Sequence, residues 1–333
     1  MNNMRQWILA KFLVISLLGS LIVSCTSSND DNPAPVPQPQ EDVTETVPGT
    51  LTGEFSVSAS QKVKFSQGNL QATYDGSAWT WAFAEHQYDF IGNAACNTKV
   101  NGNGTISETG TVDLFGWVGA SNTTWTGAAQ YGICKDNTYP ATASTYGDNP
   151  NDVLKADWGT LPISNGGNKA NSGWRTLSKD EWVWLIGPEE NAAPGTNCRT
   201  SSTIGHVANA RWVKAEVHSV KGLIIFPDAF TWDESTMGVA PTTINVLNNN
   251  FTYNSLTDAQ WTSLETAGCV FLPGSGFRSG TMVVFSGDDG DYWSSSISTT
   301  DPTSCYYLNF FSGSVNPAEA YYRDSGFSVR LVR

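Results

Sequence analysis

The chain has 333 residues and a net charge of −13, with 18 Lys and Arg against 31 Asp and Glu. That acidity argues against a phosphate-backbone binder, so no nucleic-acid partner is expected, and it favours solubility. Thirteen Trp, 31 Gly and 15% charged residues do not fit a disordered chain; they fit a loop-rich globular body.

Residues 1–24 have the parts of a secretory leader. Arg5 and Lys11 supply positive charge, and residues 12–18 begin an apolar core. The apolar run is short and interrupted by Gly19 and Ser20, which disfavours a membrane-spanning helix. The segment ends Ile22-Val23-Ser24-Cys25, which resembles the lipobox of bacterial lipoproteins. That resemblance implies that Cys25 is acylated and becomes the first mature residue. Several acyl chains on one Cys anchor stably where a single chain does not. The expected location is the outer membrane, held by lipid alone and facing the cell exterior. Ser28-Asn29-Asp30-Asp31 is similar to an acidic surface-export signal, and it reads equally as a solvated tether. Residues 25–50 form that tether, with Pro33, Pro35, Pro37, Pro39 and Pro48 making an extended, semi-rigid spacer. Residues 51–333 follow without a second linker and are expected to form one domain.

Within that domain the first strands are expected at 55–58, 63–65 and 79–83, where apolar and polar residues alternate. Residues 93–171 are rich in Gly, Asn and Thr and predict long loops pinned by Trp117, Trp125 and Trp158. A helix is predicted from Ser178, with Glu181 three residues on, Leu177 before the cap and Trp182 at the fourth helical position. A second, from Thr257, repeats the design with Gln260, Leu256 and Trp261. Each carries a capping box and a hydrophobic staple. Gly187-Pro188 and Gly268 end them. Each helix is followed by a continuous apolar run stopping at Pro, 222–227 and 269–273, which predicts buried strands. The last forty residues alternate again through 292–296, 306–310 and 323–330, with large aromatics on both sides of the alternation.

Residues that carry chemistry elsewhere are sparse. Cys96, Cys134, Cys198, Cys269 and Cys305 are odd in number and none has C-x-x-C spacing, so no zinc ribbon or redox dithiol is indicated and pairings stay open. His86, His206 and His218 show no metal-ligand spacing, and no Gly-x-Ser-x-Gly elbow occurs. Asp288-Asp289-Gly290-Asp291 lacks the length and the Glu of an EF-hand loop and reads as a polar hairpin tip. Asp233 and Glu234 follow Trp232, a grouping able to touch a sugar, though a core Trp beside a loop acid explains it as well. Paired carboxylates for glycoside cleavage depend on the fold and are not readable from sequence. No metal, cofactor or catalytic residue is expected.

Several separate runs carry a family resemblance. They are Gly53-Glu54-Phe55-Ser56-Val57-Ser58, Phe65-Ser66-Gln67-Gly68-Asn69-Leu70, Asp113-Leu114-Phe115-Gly116-Trp117, Ala156-Asp157-Trp158-Gly159, Ile163-Ser164-Asn165-Gly166-Gly167-Asn168 and Ser172-Gly173-Trp174-Arg175-Thr176-Leu177, together with the C-terminal alternation. Across residues 53–333 the chain resembles the major paralogous domain lipoproteins. The resemblance implies an α+β, C-type lectin-like fold, shared with formylglycine-generating enzymes, with irregular antiparallel sheets, two short-to-medium helices and long loops. Those enzymes need a reactive Cys pair a few residues apart near the C-terminus. Cys269 and Cys305 are far apart here, which argues against that oxidase chemistry.

The C-terminal part is also similar to targets of diversity-generating retroelements, in which display positions vary on a kept scaffold. The resemblance implies a scaffold of Tyr292, Trp293, Leu308, Phe310, Val315, Pro317, Arg323, Gly326, Val329 and Arg330. It implies ligand-binding positions at Phe277, Asp288, Asp289, Asp291, Tyr307, Phe311, Tyr321, Tyr322, Asp324 and Phe327, with Ser279 and Ser325 also displayed. Glu319 is not a residue that such mutagenesis yields. The expectation is a non-catalytic, lectin-like receptor or adhesin that binds a surface protein or glycan through the aromatic and Asp side chains of about 270–333. The alternatives are a structural or fimbrial accessory protein, and a formylglycine-generating-type or glycan-active enzyme.

Overall fold

The computed structural model describes residues 47–99, 109–117, 132, 157–188, 194–195, 197–246, 253–280, 282–301 and 303–333, all within one unit spanning Glu45–Arg333. The leader, Cys25, residues 26–46 of the tether and Trp125 lie outside the described residues.

Strands β1 (Phe55–Ser56) and β2 (Lys62–Val63) form a short hairpin. Strand β3 (Leu70–Tyr74) lies between β4 (Trp79–Phe83) and β5 (Gly110–Val112), with the short helix α1 (Ala95–Lys99) before β5. In β4, Trp81 and Phe83 are buried and Thr80 is exposed, the two-residue period of a strand with one covered face. Asp157 then caps a single 3-10 turn at Trp158–Thr160. One carboxylate oxygen accepts from the N–H groups of Gly159 and Thr176, both at 3.0 Å, which fixes β6 (Arg175–Thr176) beside the turn. Helix α2 (Lys179–Ile186) follows.

Strands β7 (Trp212–Val217) and β8 (Val220–Ile225) form a hairpin turning at His218 and Ser219, whose φ angles of 48° and 65° match the primed turns that suit strand twist. After α3 (Glu234–Met237), β9 (Asn254–Ser255) and α4 (Asp258–Thr266), the strand β10 (Val270–Pro273) pairs with β8, giving the sheet order β10-β8-β7-β9. The two predicted apolar runs are therefore antiparallel neighbours, with Val270 opposite Ile225.

Both capping boxes are complete. The Ser178 hydroxyl accepts from the Glu181 N–H while the Glu181 carboxylate accepts from the Ser178 N–H, and Thr257 and Gln260 do the same. Leu177 and Trp182 meet in one buried cluster, as predicted for a staple, and Gly187 and Gly268 adopt positive φ where the helices stop. The sequence reading missed α1, α3, β3 and β7 and several short strands, and its alternating run at 323–330 is turn and isolated bridges, the strand lying before it at Ser314–Tyr322. Asp233, read there as a sugar contact or a loop acid, is the N-cap of α3, its carboxylate accepting from the Ser235 N–H.

The C-terminal part comprises β11 (Phe277–Ser279), β12 (Met282–Val284), β13 (Gly290–Ile297), β14 (Ser304–Phe311), β15 (Ser314–Tyr322) and β16 (Leu331–Val332). Strands β13-β14-β15 form an antiparallel sheet, β11 pairs with β12, and β16 pairs with β6. One face of the β13-β14-β15 sheet contributes Tyr292, Leu308, Phe310 and Val315 to a cluster with Trp182 and Leu185 of α2. The other face contributes Trp293, Cys305 and Tyr307 to a second cluster with Phe115, Trp117 and Trp158. The fold is α+β, built of small, mostly antiparallel sheets (β9 alone among the described strands pairs parallel, with β7), short helices and loops.

Candidate functional site

The second face of the β13-β14-β15 sheet runs from the core to the surface. Strand register sets three rows across it. Asp291, Asn309 and Asn316 form one, Trp293, Tyr307 and Glu319 the next, and Cys305 and Tyr321 the third. Irregularities between Tyr307 and Asn309, and between Trp293 and Ile297, twist the sheet locally, as bulges do beside binding sites.

The rings make a continuous layer. Trp293 stacks on Phe327 at 4.2 Å between centroids, and Phe327 lies 4.6 Å from Tyr307 and 5.9 Å from Tyr321. Tyr321 then reaches Tyr322 at 5.4 Å and Phe277 at 5.9 Å, and Phe277 reaches Phe285 at 6.1 Å. Exposure rises along this path: Trp293, Phe327 and Tyr307 are buried, Phe277 is half-buried, Tyr321 is 37% exposed, Tyr322 57% and Phe285 59%. Met282, 63% exposed, lies on the same hairpin as Phe277. Phe285 holds φ at 55°, a left-handed backbone that a bulky residue seldom adopts.

The acids divide by environment. Exposed Asp288 pairs with Lys221 at 2.5 Å. Asp289 is half-buried, and its pKa rises to about 6 because burial penalises the charge and Asp288 repels it. Asp291 is 2% exposed, and its Oδ1 accepts from Asn309 Nδ2 at 2.9 Å while Oδ2 has no hydrogen-bond partner. Burial, with a smaller push from Asp289, raises its pKa to about 7 against the opposing Asn309 bond. The Tyr307 phenol is driven upward by burial first, then by Asp291, Glu319 and Asp289.

These positions correct several expectations. Asp291, Tyr307 and Phe327 are interior residues, not displayed ones, because the layer of Trp293, Phe327 and Tyr307 closes the hydrophobic cluster beneath the sheet face. Ser325 is buried too. Phe311 is exposed but pairs with Ser314 at the far end of β14, six residues from Cys305, which faces Tyr321. At roughly 3.3 Å per residue that is about 20 Å away, so Phe311 does not join the aromatic group. Asp324 is half-buried, with burial raising its pKa against the pull of Arg278. Phe277, Tyr321 and Tyr322 do come together. All ten residues read as scaffold are buried.

Sequence reasoning missed Met282, Phe285, Asn309, Asn316 and Glu319 as members of this face. The alternation Tyr307-Asn309 on β14 and the Phe285-Ser286-Gly287 turn were the signals available.

Other groups are taken up by the scaffold. Arg199 and Asp228 pair at 3.1 Å, and Asp228 also accepts from the Ser56 N–H and hydroxyl. A cavity of about 450 Å³ is lined by His206, Asn209, Arg211 and Asn245. The Arg211 guanidinium there donates to the carbonyls of Ile186 and Asn209. Cys269 is a fully buried thiol whose pKa burial pushes up, in a different cluster from Cys305.

Comparison with protein-family models, with curated proteins and with solved structures finds no match for this chain.

Proposed function

We propose that this protein is a lipid-anchored outer-membrane surface receptor or adhesin with a C-type lectin-like domain, non-catalytic, that binds a protein or glycan at the aromatic face of β15 and the β11–β12 hairpin. The observation that carries this reading is the ring layer that starts at buried Trp293 and ends at exposed Tyr321, Tyr322 and Phe285. Exposed aromatics on a rigid, buried support are poised to dominate binding, since they lose little conformational freedom on contact. The fold assignment draws on the sequence motifs and on the small, mostly antiparallel sheets with α2 and α4, each opened by a capping box. The anchoring draws on the resemblance around Cys25. Among the described residues, Cys269 and Cys305 occupy separate clusters, which supports a binding role over oxidase chemistry at that pair.

The test is a screen of the full-length chain, held in detergent, against arrays of glycans and of surface proteins. A saturable ligand that protects Tyr321 and Tyr322 from chemical iodination supports the reading. A chain that binds no soluble ligand and co-purifies only with partner subunits contradicts it and favours the structural alternative.

A further inference from the structure

Resting on the reading of this face as a ligand surface, we infer that its occupant is a basic side chain of a polypeptide, lysine or arginine. Its cation would sit at Glu319, with Asp291 and Asp289 farther along the same sheet face adding to the negative field, and its aliphatic stem along Tyr321 and Phe277.

Charge is the first argument. Among the described residues, none of Asp289, Asp291 and Glu319 has an ion-pair partner, whereas neighbouring Asp288 is met by Lys221. The guanidinium of Arg278 on β11 is directed inward, its Nη2 donating to the Leu114 carbonyl, and that of Arg323 lies 4.7 Å over the Trp117 ring. The exposed rings are therefore bordered by uncompensated negative charge on a chain that is acidic as a whole.

Asp291 supplies the second and independent argument. Register places it on the same sheet face as Tyr307 and Asn309, and it is nearly sealed, yet Oδ2 has no hydrogen-bond partner. A buried carboxylate left without a donor or a cation is costly. A cation held on the same sheet face lowers that cost without touching it. A neutral sugar offers hydroxyls at the rim but no compensating charge.

Spacing is the third. Glu319 and Tyr321 are two residues apart on one strand, about 6.6 Å at strand rise. Carbon stem and charged head of a lysine or arginine divide over such a gap, the stem on rings and the head on a carboxylate. Glu319 already accepts from Asn316 Nδ2 at 2.6 Å through Oε2, which orients the carboxylate. Tyr321 and Phe277 meet edge to face at 5.9 Å, giving the stem two walls. Aromatic faces also attract the cation itself.

The experiment uses the full-length chain in detergent and an array of peptide pairs, each pair differing only by Arg against citrulline or Lys against norleucine, beside an array of neutral glycans. The variants are Asp289→Asn with Glu319→Gln, Tyr321→Ala with Tyr322→Ala, and a remote control, Asp180→Asn with Asp258→Asn; melting temperature is recorded for each. The expected result is binding to basic peptides that falls tenfold or more with citrulline or norleucine. The Asp289/Glu319 variant should lose as much without any fall in melting temperature, and the remote control should lose nothing. Equal losses in the remote control would mean diffuse attraction and overturn the inference. Tyrosine-dependent glycan binding that ignores Asp289→Asn and Glu319→Gln would overturn it while leaving the face reading intact. Peptide binding untouched by the tyrosine variant would overturn both.

Discussion

Phe327 lies nearly parallel to Trp293, with planes at 28° and centroids 4.2 Å apart, so one buried ring links the core indole to the exposed tyrosines. The face is rigid for that reason: Tyr321 rests on a ring that itself rests on the core.

Phe327→Ala should therefore behave as a core mutation. It should cost about 3–5 kcal/mol by the usual range for a buried Phe, read from chemical denaturation. A cost below about 1 kcal/mol would show that the ring does not support the layer.

Asp228→Ala should also destabilise, by roughly 3–5 kcal/mol, because it strands the buried Arg199 charge. Asp228 is mostly buried, and its pKa is lowered by its bonds to Ser56 and by Arg199 against the burial that raises it. Denaturation midpoints at pH 7 check this; a loss no larger than that of an exposed pair would contradict it.

The pH dependence has a defined sign. The folded pKa of Asp291, about 7, lies above its unfolded value near 4. The native state thus binds more protons in that window, and stability falls as pH rises from about 4 to about 7. Asp289 and Asp113, both raised to about 6, act in the same sense. Asp291→Asn should flatten the fall and leave the variant more stable than wild type at pH 8. Melting curves across pH 4–8 measure it, and parallel curves for the two proteins would refute the assignment.

Much of the fold was legible. The capping boxes of α2 and α4 are local, with every participant within four residues, so the sequence displays both helix starts. The apolar runs that became β8 and β10 were equally plain. Strand β7 was not, because Lys214 and Glu216 mark it as surface. Lys214 is buried, and its ammonium donates to the carbonyl of Ser312, 98 residues on. The outward residues of β13 and β14 failed for a related reason. Two-residue alternation tells faces apart when one face is wet. Here Tyr292 and Phe310 serve one cluster while Trp293 and Tyr307 serve the other, so both faces are apolar and periodicity is silent. Tyr321 and Tyr322 came from the resemblance and not from periodicity, since the alternating run read at 323–330 is turn and isolated bridges and the strand that carries both tyrosines is β15.

The proposed anchoring through Cys25 makes its own prediction. Cys25→Ser should abolish incorporation of labelled palmitate and shift the chain out of the membrane fraction. Retained label would place the acyl chains elsewhere.

The most direct measurement is ligand binding by the full-length chain carrying Tyr321→Ala and Tyr322→Ala. Removal of two exposed aromatic anchors should weaken binding by about 2 kcal/mol or more, some thirtyfold. The melting temperature should stay within about 2 °C of wild type, since both rings are substantially exposed. Undiminished binding by a folded double variant would contradict the account.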